Sequence, residues 1–93
     1  MQYKTPLSRR SPKEMKTRAY ILIETSVGST HQVAEQLRKI DQMMAVDMVT
    51  GPFDIIAVVE ADNLVDIGGI VSTKMHQVGG IIKTITSLAV TAD

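Results

Sequence analysis

Short runs of β-branched and aliphatic residues alternate along this chain with stretches whose apolar residues recur every three or four positions. Ala19–Thr25 (AYILIET) is rich in β-formers and too short for a helix, which predicts a strand. Ser29-Thr30-His31-Gln32 follows with the spacing of a capping box, in which the Ser29 hydroxyl takes the amide three residues on and Gln32 reaches back. Val33, Ala34, Leu37 and Ile40 then mark one face of a helix that runs to about Ile40. Met44–Thr50 reads as a second strand, Gly51-Pro52 forces a turn, and Phe53–Glu60 reads as a third strand, so the pair forms a hairpin. Asp62 or Asn63 caps a second helix with apolar positions at Leu64, Ile67, Val71, Met75 and Val78. Gly68 and Gly69 weaken that helix by roughly 1 kcal/mol each relative to alanine, and would permit a close approach to the sheet. Gly79-Gly80 ends it, and Ile81–Val90 is the fourth strand.

The order βαββαβ predicts an α+β, ferredoxin-like sandwich: a four-stranded antiparallel sheet with two helices on one face. Both faces of the strands are apolar. Ile21 and Ile23 oppose Tyr20 and Leu22 on the first strand, and Ile55, Ala57 and Val59 oppose Ile56 and Val58 on the third. Two helices cover only one face, so the second needs its own cover, and a partner sheet supplies it. The pattern therefore predicts at least a dimer, formed through the sheet.

Composition narrows this further. Ninety-three residues with 44% hydrophobic and 22% charged residues make one small globular domain, with no room for a DNA-reading module beside it. Aromatics are only 3%, so aliphatic residues and the six methionines must build the core. The absence of cysteine removes disulfides, thiolate metal sites and a cysteine nucleophile. No apolar run has the length of a membrane span and no signal-peptide pattern opens the chain, so the cytoplasm is the default compartment. The formal charge of zero hides an asymmetry. Residues 1–18 carry Lys4, Arg9, Arg10, Lys13, Lys16 and Arg18 against Glu14, a net +5, which leaves the rest at −5. Residues 1–17, with Pro6, Pro12 and no apolar period, read as a disordered basic extension, and 18–93 as the folded domain. The extension could bind nucleic acid or an acidic surface by charge alone, while the acidic body does not suit a phosphate backbone, so no direct DNA binding is expected.

Little in the chain suggests catalysis. His31 and His76 fall near the ends of different helices without further ligands at metal spacing, and no hydroxyl residue sits in a recognisable triad motif. No catalytic residue, metal ligand or cofactor is assigned. Ser26–Thr30 precedes a helix but lacks the spacing of either phosphate-binding fingerprint. One constellation remains. Gly51-Pro52-Phe53-Asp54 forms the hairpin tip, and Thr84 and Thr86, two apart, share one face of the last strand. A carboxylate holds an amino group, backbone amides near a glycine hold a carboxylate, and hydroxyls complete recognition of a free amino acid. The plain structural alternative is that Asp54 ends the turn by accepting backbone amides.

AYILIET at the first strand, VDMVTGPFDIIAVVEAD across the hairpin, and the closing TITSLAV resemble the effector-binding domain of the Lrp/AsnC transcription regulators. The most specific element is the G-x-[YF]-D turn, here Gly51, Phe53 and Asp54. The turn has Pro52 where many members carry an acidic residue, and Ser87 stands where some are bulkier. The usual N-terminal helix-turn-helix is missing, so the chain looks like a stand-alone member. The resemblance implies dimers joined into octamer-like rings, with an amino-acid effector bound between dimers. Carried over by position, Gly51, Phe53, Asp54, Thr84 and Thr86 line the effector pocket, with Asp62 and Asn63 as further candidates. The expected function is thus a non-enzymatic amino-acid sensor acting on transcription indirectly, with a full-length Lrp/AsnC regulator as a candidate partner. Two other readings share the architecture. A small dimeric ferredoxin-like enzyme, monooxygenase-like, would show a pocket lined by His31 or Asp47. An ACT-type regulatory module would pair its sheets edge to edge.

Overall fold

The computed structural model describes residues 16–90. Strands β1 (Thr17–Thr25), β2 (Met43–Met48), β3 (Ile55–Ala61) and β4 (Ile81–Leu88) form one antiparallel sheet in the order β2-β3-β1-β4. Helix α1 (Thr30–Leu37) links β1 to β2, and α2 (Leu64–Gly69), prolonged by a π-helical segment over Ile70–Met75, links β3 to β4. This is the expected ferredoxin-like arrangement. Residues 1–15, most of the expected basic extension, lie outside the described residues. Thr17 already belongs to β1, and the Lys16 ammonium meets the Asp62 carboxylate at 2.9 Å.

The alternation along β1 and β3 decides which side is buried. Ala19, Ile21 and Ile23 pair in register with Val59, Ala57 and Ile55, and all six are completely buried beneath the helices. Val33, Ala34 and Leu37 of α1 and Ile67, Ile70 and Met75 of the second helix close over them. Each large aliphatic side chain buried here contributes about 1.5–3 kcal/mol relative to leaving it in water. On the other face Tyr20, Leu22, Ile56, Val58 and Ile85 form an apolar centre that no element among the described residues covers; Tyr20 remains 37% and Ile85 40% exposed. At its margin the Arg18 guanidinium is raised above its ordinary pKa by hydrogen bonding to Tyr20, and further by the Glu60 carboxylate at 2.6 Å.

Three local expectations are corrected. Ser29 occupies the N-cap of α1, but no capping box forms: its hydroxyl pairs with that of Ser26 at 2.8 Å instead of reaching into the helix. Leu64 is 57% exposed rather than core-facing, and Ile70 takes the inward place. Ile70 follows the buried Ile67 at ordinary helical spacing, and a π-helical segment comes after it, where the His76 amide donates to the Val71 carbonyl five residues back at 3.2 Å. The wider turn spaces the inward residues Ile70 and Met75 five apart, and leaves Val71 only half-buried. Gly68 and Gly69 make no close approach to the sheet, since a methyl group on either would meet nothing within 4 Å. Of the two residues proposed to cap α2, Asn63 does so, its side-chain oxygen accepting the Asp66 amide at 2.9 Å.

Candidate functional site

The β2–β3 turn, the end of β1 and the start of α1 are joined through one carboxylate. Gly51 adopts φ +134°, a conformation that favours glycine, and lets the chain reverse before Asp54. The Asp54 amide then donates to the Ile23 carbonyl at 2.9 Å, and its own carbonyl accepts from Val49 at 2.9 Å. The carboxylate oxygen Oδ2 accepts the Thr25 amide at 2.8 Å and the Thr25 hydroxyl at 3.2 Å. Thr25 needs this partner: the β1–β4 register shifts between Glu24 and Thr25, and the residue is buried. Its hydroxyl also lies 2.7 Å from that of Thr30 in the first turn of α1. With the Thr25 proton directed at Asp54, Thr30 donates into the chain. Asp54 therefore does what the plain structural alternative expected of it, while Oδ1 makes no hydrogen bond among the described residues.

Thr84 and Thr86 pair with Ile23 and Ile21, which puts both on the helix side of the sheet, as their spacing requires. β4 is an edge strand that the helices only partly overhang, so Thr84 is half-buried and Thr86 exposed. Thr84 and Asp54 thus flank Ile23 from opposite sides, with backbones about 10 Å apart across two strand spacings. Gly51, Phe53, Asp54 and Thr84 share this end of the domain, and Thr86 lies two residues further in. Asp62 does not join them. It sits beyond the far end of β3 beside Lys16, and lines a separate groove of about 540 Å³ with Asp66 and Lys74.

A smaller groove of about 280 Å³ runs between the π-helical segment and β4. Val71, Met75, Ile81 and Ile82 line it together with the polar side chains of Ser72, His76, Lys83 and Thr84. A third, of about 470 Å³, lies between the C-terminal end of α1 and the helix–β4 loop and is lined largely by polar residues such as Gln32, Gln36 and Lys39. His31 stands exposed 3.6 Å from Glu35, and neither it nor Asp47 lines any of these grooves. Among the described residues no three potential metal ligands converge, and no helix is long and apolar enough to cross a membrane. Sequence reasoning missed Thr25 and Thr30, whose only signal is a hydroxyl at each side of the β1–α1 loop, and Val71, whose helical spacing pointed inward.

Comparison with known proteins agrees with this architecture. The family model described as the Lrp/AsnC ligand binding domain matches residues 18–92. Uncharacterised helix-turn-helix-type transcriptional regulators of Pyrococcus abyssi and Pyrococcus furiosus are 34% and 36% identical over 76 residues, 78% of this chain and 51% of each relative. The chain thus spans about half the length of the curated relatives it matches. A hypothetical protein of Pyrococcus horikoshii superposes with a TM-score of 0.75 at 29% identity, over 81% of this chain and 90% of its own. Two more distant structures share the fold. Escherichia coli AsnC has a TM-score of 0.80 at 19% identity, covering 88% of this chain and 57% of its own. A Neisseria meningitidis transcriptional regulator in complex with L-Met has a TM-score of 0.76 at 16% identity, covering 97% and 59%. From Arg18 almost to its end, the chain belongs to the Lrp/AsnC ligand-binding domain family.

Proposed function

We propose that this domain is a non-enzymatic sensor that binds a free amino acid at the β1 end shared by the Gly51–Asp54 turn and Thr84. The observation that supports the reading is that the Gly51–Asp54 turn, with its carboxylate, and the Thr84 hydroxyl lie at the same end of the sheet, on either side of Ile23. The unengaged Oδ1 of Asp54 takes the effector's ammonium, amides near Gly51 take its carboxylate, and Thr84 with Thr86 completes the contacts. The L-Met bound to the Neisseria neighbour supports this ligand class. Gly51 and Pro52 are exposed, which fits completion of the site by a second dimer. The uncovered apolar sheet face supports pairing of two copies face to face, and transcription is reached through assembly with a full-length regulator that carries the same domain. Titration calorimetry against the twenty amino acids, with sedimentation velocity on the same samples, tests this. Micromolar to millimolar binding by a dimer or larger species is expected. No heat with any amino acid sinks the sensor reading, and a clean monomer sinks the sheet-pairing.

A further inference from the structure

We infer that the groove at the start of α2 is a docking surface for the chain's own basic segment, residues 9–13. The charge asymmetry of the chain plays no part in the proposed amino-acid site. Residues 1–15 carry Lys4, Arg9, Arg10 and Lys13 against Glu14, a net +3, while residues 19–93 carry −5. The groove of about 540 Å³ is lined by three carboxylates, Glu60, Asp62 and Asp66, against the ammonium groups of Lys16 and Lys74. Glu60 is engaged by Arg18 at 2.6 Å and Asp62 by Lys16 at 2.9 Å, whereas Asp66 forms no ion pair among the described residues. Lys74 donates to the Gln42 side-chain oxygen at 3.1 Å. Val65, 81% exposed, stands in the same lining as these charges. The aliphatic stems of arginine and lysine cover such a surface while their heads reach a carboxylate.

The point at which the chain enters the fold selects the occupant. Lys16 lines the groove and is fixed to Asp62, so the residues before it start beside Asp66, which follows in the first turn of α2. An extended chain spans about 3.3–3.6 Å per residue, so Lys13 lies within about 11 Å of Lys16 and Arg9 within about 25 Å. A tether this short holds the segment at an effective concentration on the order of millimolar, so weak contacts suffice to populate the docked form. The guanidinium of Arg9 or Arg10 suits the Asp66 carboxylate as a bidentate pair.

The chain has no cysteine, so Ser11→Cys gives the whole protein a single nitroxide label inside the segment. Its broadening of backbone amide signals is read at low salt, in 0.5 M sodium chloride, and in the added variant Asp66→Asn, whose exposed side chain can change while the fold is kept. At low salt the Val65, Asp66, Gly69 and Thr73 amides are expected to lose at least half their intensity. In 0.5 M salt, where the Debye length is about 4 Å, and separately in Asp66→Asn, at least half of that loss is expected to be recovered. Equal broadening under all three conditions overturns the inference, because a tethered label then passes the groove without binding it. Recovery in salt but not in Asp66→Asn overturns it too, since the acidic contact then lies elsewhere. Broadening confined to a second, spin-label-free copy in a mixed sample assigns the groove to another chain and overturns docking within one.

Discussion

Replacing Asp54 with alanine removes the one side chain that, among the described residues, ties the β2–β3 turn to the end of β1 by hydrogen bonds. The Thr25 amide and hydroxyl lose their shared acceptor, and the amide is left in a buried position with no ladder partner on its shifted register. A hydrogen bond to a charged group contributes about 1.5–3 kcal/mol, and an unsatisfied buried donor costs about 1–3 kcal/mol. These overlap, because both describe the same amide, so the expected loss is about 2–3 kcal/mol rather than their total. For a domain of this size each kcal/mol moves the melting temperature by about 4–8 °C, which predicts a fall of roughly 8–24 °C. Asp54→Asn keeps an acceptor of the same shape and gives up only the charge, so about 1 kcal/mol is expected. Circular-dichroism melts at one fixed protein concentration measure both, since melting of an oligomer shifts with concentration. An alanine variant that melts within about 3 °C of the parent refutes the structural role. Effector affinity on the asparagine variant separates that role from ligand contact: a ten- to hundred-fold loss follows only if Oδ1 meets the ammonium.

Two further expectations concern backbone and surface. Gly80 has φ +100°, and a Cβ there would stand 2.9 Å from Val33 Cγ2, so Gly80→Ala should destabilise by about 1–3 kcal/mol. Gly68→Ala, with open space around it in α2, should stabilise by about 0.5–1 kcal/mol; melts that rank the two the other way contradict the geometry. Val58→Asp places a charge in the centre of the uncovered sheet face and should shift the protein to monomer in sedimentation velocity, while a variant that stays fully dimeric excludes this face as the interface.

The strands and their order were readable because each is a short run of β-branched and aliphatic residues, several of them bounded by Gly, Pro or a capping residue. Strand ends moved by at most two residues, at both ends of β2 and β3 and at one end of β1 and β4, where ladder pairing rather than composition decides the limit. What could not be read has identifiable causes. Ser29 sits at a good capping position, yet Ser26 competes for its hydroxyl from across a loop whose shape depends on Gly80. The π turn leaves no mark in composition, so an α-helical period placed Val71 rather than Ile70 inward. The site shows the same division. Gly51 and Asp54 stood out as a motif, and Thr84 as a spacing, but Asp62 was grouped with them by chain position alone. The length of β3 carries it to the other end of the sheet.

Because the Asp54 carboxylate is occupied by the end of β1, mutation and drift act on this turn through folding first. A descendant of this chain that no longer met any effector would still be held to Gly51 and Asp54, since losing either would unmoor the turn from the sheet. Val71 and Ile82 carry no such obligation, being half-buried or exposed on a cleft wall. The turn is therefore held by folding whether or not it also meets a ligand, and variation should be tolerated along the π-helical segment and β4 sooner than at the turn.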